Sequence, residues 1–200
     1  LVSGTKRGEY RSKRILDVSI SLLMLMLFSP FMLITAVCIK LEDGGPVFYR
    51  QRRVTRNGRE FDILKFRSMI VDAEKQGYQP AASRDHRITK TGRIIRTIRL
   101  DETPQLFNIL KGDMSIVGPR PERVEHVRKY TEKLPEFAYR LRVRGGLTGY
   151  AQIYGKYNTS AEDKLKMDLM YIEKQSLLLD LQMILLTVKV MFLPESTEGF

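Results

Sequence analysis

Between Val18 and Ile39 the chain carries 22 consecutive residues without a charge, mostly Leu, Met, Ile and Phe. As a helix this is long enough to cross a hydrocarbon core of about 30 Å. Ser29-Pro30 sits at its midpoint, where proline deletes a backbone hydrogen bond and crowds the preceding turn. Both flanks are basic, with Lys6, Arg7, Arg11, Lys13 and Arg14 before and Lys40, Arg50, Arg52 and Arg53 after. Translocating either cluster is unfavourable, so the expectation is a re-entrant helix that enters the bilayer, breaks at Ser29-Pro30 and returns. The Ser29 hydroxyl is expected to bond the carbonyl that proline leaves free. A kinked spanning helix is the alternative. A buried core helix is disfavoured, because the apolar character runs all round.

The rest of the chain is strongly basic: net charge +11, with pI near 9.8. That charge calls for an anionic partner, either nucleic acid, anionic lipid or a phosphorylated substrate. Cys38 is the single cysteine, which excludes an internal disulfide, and His86 and His126 alone do not make a zinc site. No small-residue cleavage site follows the apolar run. The chain begins at Leu1, so N-terminal domains beyond this sequence are expected.

Gly44-Gly45-Pro46 ends the membrane segment. Val47–Val54 and Glu60–Met69 read as two strands around the turn signal Arg56-Asn57-Gly58. Lys65 and Arg67 alternate with apolar residues at the end of the second strand, and Lys65 is placed in the site. Val71 to Thr91 reads as a helix start and then a surface loop containing His86.

Asp101-Glu102 is the chemical focus. Thr103 as N-cap and Pro104 at the first helical position predict a short helix to about Lys111, stopped by Gly112. Arg93, Arg96 and Arg99 recur every third residue upstream, and Gly118-Pro119-Arg120-Pro121 holds a further arginine in a stiff turn. Acids ringed by arginines suit a polyanion: guanidinium groups hold phosphate oxygens, while a carboxylate ligates Mg²⁺ or attacks phosphorus. The plainer reading is that acids are common near helix starts and arginine rows are solvated faces. Glu122–Tyr139 reads as a polar helix interrupted at Leu134-Pro135. Arg144 stands before a glycine-rich turn, Gly145-Gly146-Leu147-Thr148-Gly149, and either holds phosphate or ends a cationic strand. Ser160–Ile172 reads as an amphipathic helix. Leu177–Leu193 is an apolar helix whose Asp180, Gln182 and Lys189 favour an interfacial or packed position.

These residues resemble the bacterial sugar transferases called monotopic phosphoglycosyl transferases. The likeness covers nearly the whole chain from Lys13-Arg14-Ile15-Leu16-Asp17 onward. Its most specific parts are Lys65-Phe66-Arg67-Ser68-Met69, Leu100-Asp101-Glu102-Thr103-Pro104-Gln105-Leu106-Phe107-Asn108, Lys111-Gly112-Asp113-Met114-Ser115, Gly118-Pro119-Arg120-Pro121 and Leu147-Thr148-Gly149-Tyr150-Ala151-Gln152. The resemblance implies that Asp101 is a nucleophile carrying a covalent sugar-phosphoryl intermediate and that Glu102 is its acid/base partner. It implies Mg²⁺ between Asp101 and a diphosphate, and phosphate contacts from Lys65, Arg96, Arg120 and Arg144, with Arg67 counted among the binding cations. It further implies a nucleotide sugar, with uridine diphosphate sugars the family habit, and polyprenol phosphate as substrates. The setting would be the bacterial inner membrane, with the active site facing the cytoplasm; nucleic acid would play no part, and a homodimer is allowed. Four positions depart from the family pattern: Thr55 for glycine, Thr103 for leucine, Gly145 for proline and His86 for proline.

The expected architecture is α+β and largely helical. It divides into a basic segment with the re-entrant helix (1–45), a catalytic domain (46–175), and an apolar interfacial helix with its tail (176–200). The competing reading is a non-catalytic, membrane-anchored basic adaptor for anionic lipid or nucleic acid, which would not place an acidic pair at the focus of its cations.

Overall fold

The computed structural model describes residues 7–73, 85–155 and 159–191. Lys6, most of the loop expected between Val71 and Thr91, and the tail beyond Met191 lie outside the described residues. The fold is largely helical with a small antiparallel hairpin, as the sequence indicates.

Helix α1 runs from Arg7 to Asp43 without interruption, with Pro30 inside it. Helical structure therefore continues where a break was expected. The physical reason is local. Pro30 leaves the carbonyl of Met26 without its backbone donor, and the Ser29 hydroxyl donates to that carbonyl at 3.0 Å. Asp17, Ser21, Met32, Thr35 and Ile39 are buried in one stripe with helical spacing. Leu22, Leu23, Met26, Leu27, Phe31, Leu33, Ile34 and Val37 are exposed around it, an apolar surface that none of the described residues covers.

Both polar ends of α1 are tied to one body. Near the N-terminal end, the Lys13 ammonium donates to the Val117 carbonyl at 3.1 Å, the Tyr171 hydroxyl at 3.1 Å and Asp180 at 2.7 Å. Arg14 donates to the carbonyls of Ile109 and Leu110 at 2.5 and 2.6 Å. Asp17 accepts from the Ser115 hydroxyl and the Ile116 amide, both at 3.0 Å. At the C-terminal end Asp43 pairs with Arg67, and Glu42 accepts from the amides of Lys90 and Thr91 at 2.7 and 3.1 Å.

Strands β1 (Phe48–Val54) and β2 (Glu60–Phe66) form the expected hairpin, in register from Phe48 opposite Phe66 to Val54 opposite Glu60. Asn57 and Gly58 supply the positive φ angles of the turn, 59° and 73°. Phe61 and Ile63 turn inward while Arg52 and Asp62 pair outside at 3.0 Å. Helix α2 (Lys90–Thr97) starts at Thr89, whose hydroxyl accepts from the Gly92 amide at 2.9 Å. Helix α3 (Gln105–Lys111) packs under β2, where the Asn108 amide accepts from the Leu64 backbone and donates to the Asp62 carbonyl, at 2.9 and 2.8 Å. Gly112 ends it in the left-handed conformation, φ 93°, as expected.

One local expectation fails. Pro104, not Thr103, is the N-cap of α3, and the Thr103 hydroxyl donates back to the Leu100 carbonyl at 2.8 Å. The cause is a 3₁₀ turn, Leu100–Glu102, that feeds directly into the helix and already occupies the capping region.

Strands β3 (Met114–Val117) and β4 (Gly145–Thr148) make a parallel pair that sequence patterning did not reveal. β3 is buried throughout and too short to show alternation. The glycines flanking the pair allow close approach: a Cβ at Gly118 or Gly146 would collide with backbone of the other segment. Two of the positions expected to depart from the family pattern, Thr55 and Gly145, meet here. The Thr55 hydroxyl donates to the Asp113 carbonyl at 2.8 Å and accepts from the Gly145 amide at 3.1 Å. Glycine at 55 would lack that hydroxyl and proline at 145 would lack that amide, so each departure satisfies the other.

Helix α4 (Val124–Lys133) packs against a 3₁₀ segment, Pro135–Arg142, and against β1. Helices α5 (Tyr150–Tyr154), α6 (Ala161–Lys174) and α7 (Leu177–Met191) complete the body. Ile109, Met114, Val117, Tyr171 and Met183 share the main core, so α7 is packed into it. Asp180 on α7 is almost fully buried and receives Lys13 and the Tyr171 hydroxyl. The α7 face formed by Leu178, Leu181, Leu185 and Val188 remains exposed.

Candidate active site

A second apolar cluster, Met32, Ile39, Phe66, Ile95 and Leu100, joins α1 to α2 and the end of β2. Of this cluster Phe66 reaches the cavity in which the polar residues converge. The 3₁₀ turn after α2 begins at Arg99, which adopts the left-handed conformation, φ 55° and ψ 22°. That backbone reversal turns Asp101 and Glu102 towards the end of β2.

Glu102 is the hub. The Lys65 ammonium donates to its Oε1 at 2.6 Å, and the Arg120 guanidinium donates to the same oxygen at 2.8 Å. Burial pushes the Glu102 pKa up, but Arg120 and Lys65 outweigh it and hold the carboxyl well below its usual value. Asp101, next in the chain, behaves oppositely. Burial and then the charge of Glu102 raise its pKa, against weaker pulls from Lys65 and Arg96. One acid is thus a fixed anion that anchors two cations. The other is a carboxylate whose charge is incompletely balanced, the condition of a group waiting for a cation or an electrophile.

A cavity of about 500 Å³ opens over the pair. Its lining includes Lys65, Arg96, Arg99, Asp101, Glu102 and Arg120 together with the apolar Phe48, Phe66, Met69 and Ile70. The structure therefore brings together Asp101, Glu102, Lys65, Arg96 and Arg120 as expected. Arg67 also lines the cavity, but its guanidinium is committed to Asp43, with one contact at 2.8 Å, and its side chain is buried. It clasps the C-terminal end of α1 to the hairpin. Arg144 stands at the start of β4 and is not among the cavity-lining residues, and Arg93 is absent from the lining as well. Arg99 lies beyond the end of α2, so the arginine row breaks after Arg96.

Several residues escaped the sequence reading. Tyr49 and Gln51 line the cavity, with Tyr49 directly opposite Lys65 in the hairpin. Period-two alternation was the available signal, since it puts all three on one face. Glu42 and Asp43 carry no local signal, because their partners lie tens of residues away.

Among the described residues no three His, Cys, Asp or Glu side chains gather into a metal cage. Mg²⁺ does not require one, since it commonly binds through one or two carboxylates, substrate phosphates and water. Asp101 fits that role: it is half-buried beside another anion in the cavity wall, with desolvation and Glu102 opposing its own charge.

An exposed apolar helix is thus joined to a cationic cavity that holds two unlike acids. The bacterial sugar transferase family model matches residues 8–194, and the chain belongs to that family. Over 180 residues it is 44% identical to a UDP-N-acetylgalactosamine-undecaprenyl-phosphate N-acetylgalactosaminephosphotransferase of Aeromonas hydrophila, covering 88% of this chain and 43% of that protein. It is 41% identical over 181 residues to a UDP-glucose:undecaprenyl-phosphate glucose-1-phosphate transferase of Caulobacter vibrioides, covering 88% and 68%. An uncharacterized sugar transferase of Bacillus subtilis, EpsL, is 39% identical over 186 residues, covering 93% and 90%. The chain thus spans less than half of the first relative and most of the third.

Proposed function

We propose that this chain transfers a sugar 1-phosphate from a nucleoside diphosphate sugar, a UDP-sugar by likeness to its Aeromonas hydrophila and Caulobacter vibrioides relatives, to polyprenol phosphate. The observation that carries the proposal is the convergence of Asp101 and Glu102 with Lys65, Arg96 and Arg120 in one cavity, where Lys65 and Arg120 both bond Glu102. A basic adaptor has no use for an adjacent pair of acids at the focus of its cations.

In the first half-reaction the diphosphate enters among Lys65, Arg96 and Arg120, which neutralise its oxygens. An oxygen of the Asp101 carboxylate attacks the phosphorus that bears the sugar. The bond from that phosphorus to the nucleotide's bridging oxygen breaks, and nucleoside monophosphate leaves with the electron pair. In the second half-reaction an oxygen of polyprenol phosphate attacks the same phosphorus. The aspartyl–phosphorus bond breaks, giving polyprenol-diphosphate-sugar and the free Asp101 carboxylate. Mg²⁺, when bound, would be held by Asp101 and would supply charge neutralisation for the diphosphate. Glu102 gains its acid/base role only when substrate phosphate draws Lys65 and Arg120 away. Burial then dominates, its pKa rises, and it becomes able to take up a proton.

The membrane placement is part of the same proposal. The N- and C-terminal parts of α1 are bonded to one body, which supports a re-entrant helix with both ends on one side of the bilayer, here the cytoplasmic face of the inner membrane. The exposed stripe on α7 supports an interfacial position for that helix.

Intact-protein mass spectrometry tests the chemistry. Incubation with UDP-sugars and Mg²⁺, without acceptor, should add one sugar phosphate to the wild type and release UMP. Asp101→Asn should show no adduct, and its turnover should fall by about 10³-fold or more. A clear adduct persisting on Asp101→Asn removes Asp101 from the role of nucleophile.

A further inference from the structure

Arg120 projects from a segment that has few ways to hold itself. Pro119 and Pro121 on either side of it carry no N–H, so the loop is fixed through its carbonyls. Pro119 accepts from the Gly146 amide at 2.8 Å, Pro121 from Arg53 at 3.1 Å, and Glu122 from the Val54 amide at 3.0 Å. The carbonyl of Arg120 itself accepts from Arg140, at 2.9 Å.

Arg140 is almost wholly buried, with 3% of its side chain exposed. Its Nε and Nη2 face Asp168 at 2.9 and 2.7 Å, Nη1 lies 3.7 Å from Glu122, and the guanidinium carbon is 4.7 Å from the Phe137 ring centre. Burying a guanidinium and a carboxylate is costly even when they pair. Satisfying one carbonyl does not require that cost, since a water or an amide would serve. What a buried arginine adds is a rigid planar fork whose direction is set by its partners.

We infer that Arg140 is a positioning residue for Arg120, and that Asp168 on α6 holds Arg140 in that role. The inference rests on the phosphate-binding role proposed above for Arg120. Asp168 orients the fork, the fork fixes the Arg120 backbone, and the Arg120 side chain then reaches Glu102 at 2.8 Å and the cavity. The bland alternative is that the pair only cements α6 to the 3₁₀ segment.

A double-mutant cycle separates the two. Arg140→Lys keeps the charge facing Asp168 but loses the fork. It should lower kcat/KM for nucleotide sugar by about 10- to 100-fold, with a melting temperature close to the parent's. In an Arg120→Ala background, where nothing remains to be positioned, the same change should cost less than about twofold. Asp168→Asn, which retains the shape, should show the same dependence of kcat/KM on Arg120, with a lower melting temperature because the buried Arg140 charge loses its carboxylate partner, and serves if Arg140→Lys does not fold. Equal losses in both backgrounds, from a parent that turns over, overturn the positioning role and leave the transferase reading intact. A parent that releases no nucleoside monophosphate from any nucleotide sugar removes the transferase reading, and this inference with it.

Discussion

At the scale of single residues, adjacent acids have opposite electrostatics because only one of them is reached by Lys65 and Arg120. Asp101 must be ionised to attack, and its pKa is raised by burial and by Glu102. The acid limb of kcat/KM against pH should therefore lie above the ordinary aspartate value of about 4. Glu102→Gln removes the neighbouring negative charge and should move that limb to lower pH; an unmoved limb would assign it to another group. The sign for stability follows. An acid whose pKa is raised in the fold contributes stability below its unfolded pKa and loses it as pH climbs through the folded value. At neutral pH Asp101→Asn should thus leave the melting temperature unchanged or higher while abolishing turnover. Thr55 offers a purely structural counterpart. Thr55→Val keeps the shape but strands the Gly145 amide and the Asp113 carbonyl. A loss of about 2 kcal/mol in denaturant unfolding is expected; a loss below about 0.5 kcal/mol would mean that water replaces the hydroxyl.

At the scale of elements, α1 is the unusual piece. Its interior is apolar on all sides, yet its ends are held by Asp180, Arg67 and backbone groups of one body. Ser29-Pro30 loosens the middle while the Ser29 hydroxyl keeps the Met26 carbonyl satisfied. Replacing Ser29-Pro30 with Leu-Leu restores the missing backbone bond and should shift part of the population towards a spanning helix. Single cysteines at Ser12 and Gly44, in a Cys38→Ser background, report this through an impermeant reagent applied to intact cells. Both should stay protected in the parent, and one should react in part of the Leu-Leu population. Labelling of either site in the parent itself would establish a spanning helix.

At the scale of the whole molecule, the Lys13–Asp180–Tyr171 cluster joins α1, β3, α6 and α7. Lys13 and Asp180 side chains are 12% and 1% exposed, so removing one strands a buried charge. Lys13→Met should cost about 3–5 kcal/mol of stability in detergent or nanodiscs. Lys166→Ala, which breaks the exposed pair with Asp163, is the control and should cost about 0.5 kcal/mol or less. Comparable losses would show that the buried cluster is solvated after all.

Local chemistry sufficed for much of this protein. The long uncharged run, the Asn57-Gly58 turn and the Gly112 stop are written in a few neighbouring residues, because steric and hydrogen-bonding rules act over one or two turns. The concentration of Asp101, Glu102, Arg120 and Lys65 as a candidate site was legible too, through residue types and motifs. Tertiary structure alone decided which cations face the acids. Arg67 was drawn to Asp43, and Arg144 lies outside the cavity lining. Tertiary structure also decided the parallel pairing of β3 with β4, because four buried residues carry no period that distinguishes strand from helix. The opposite pKa shifts of Asp101 and Glu102 belong to the same category: they arise from desolvation and from charges brought together across 18 to 37 positions of chain, which no local pattern encodes.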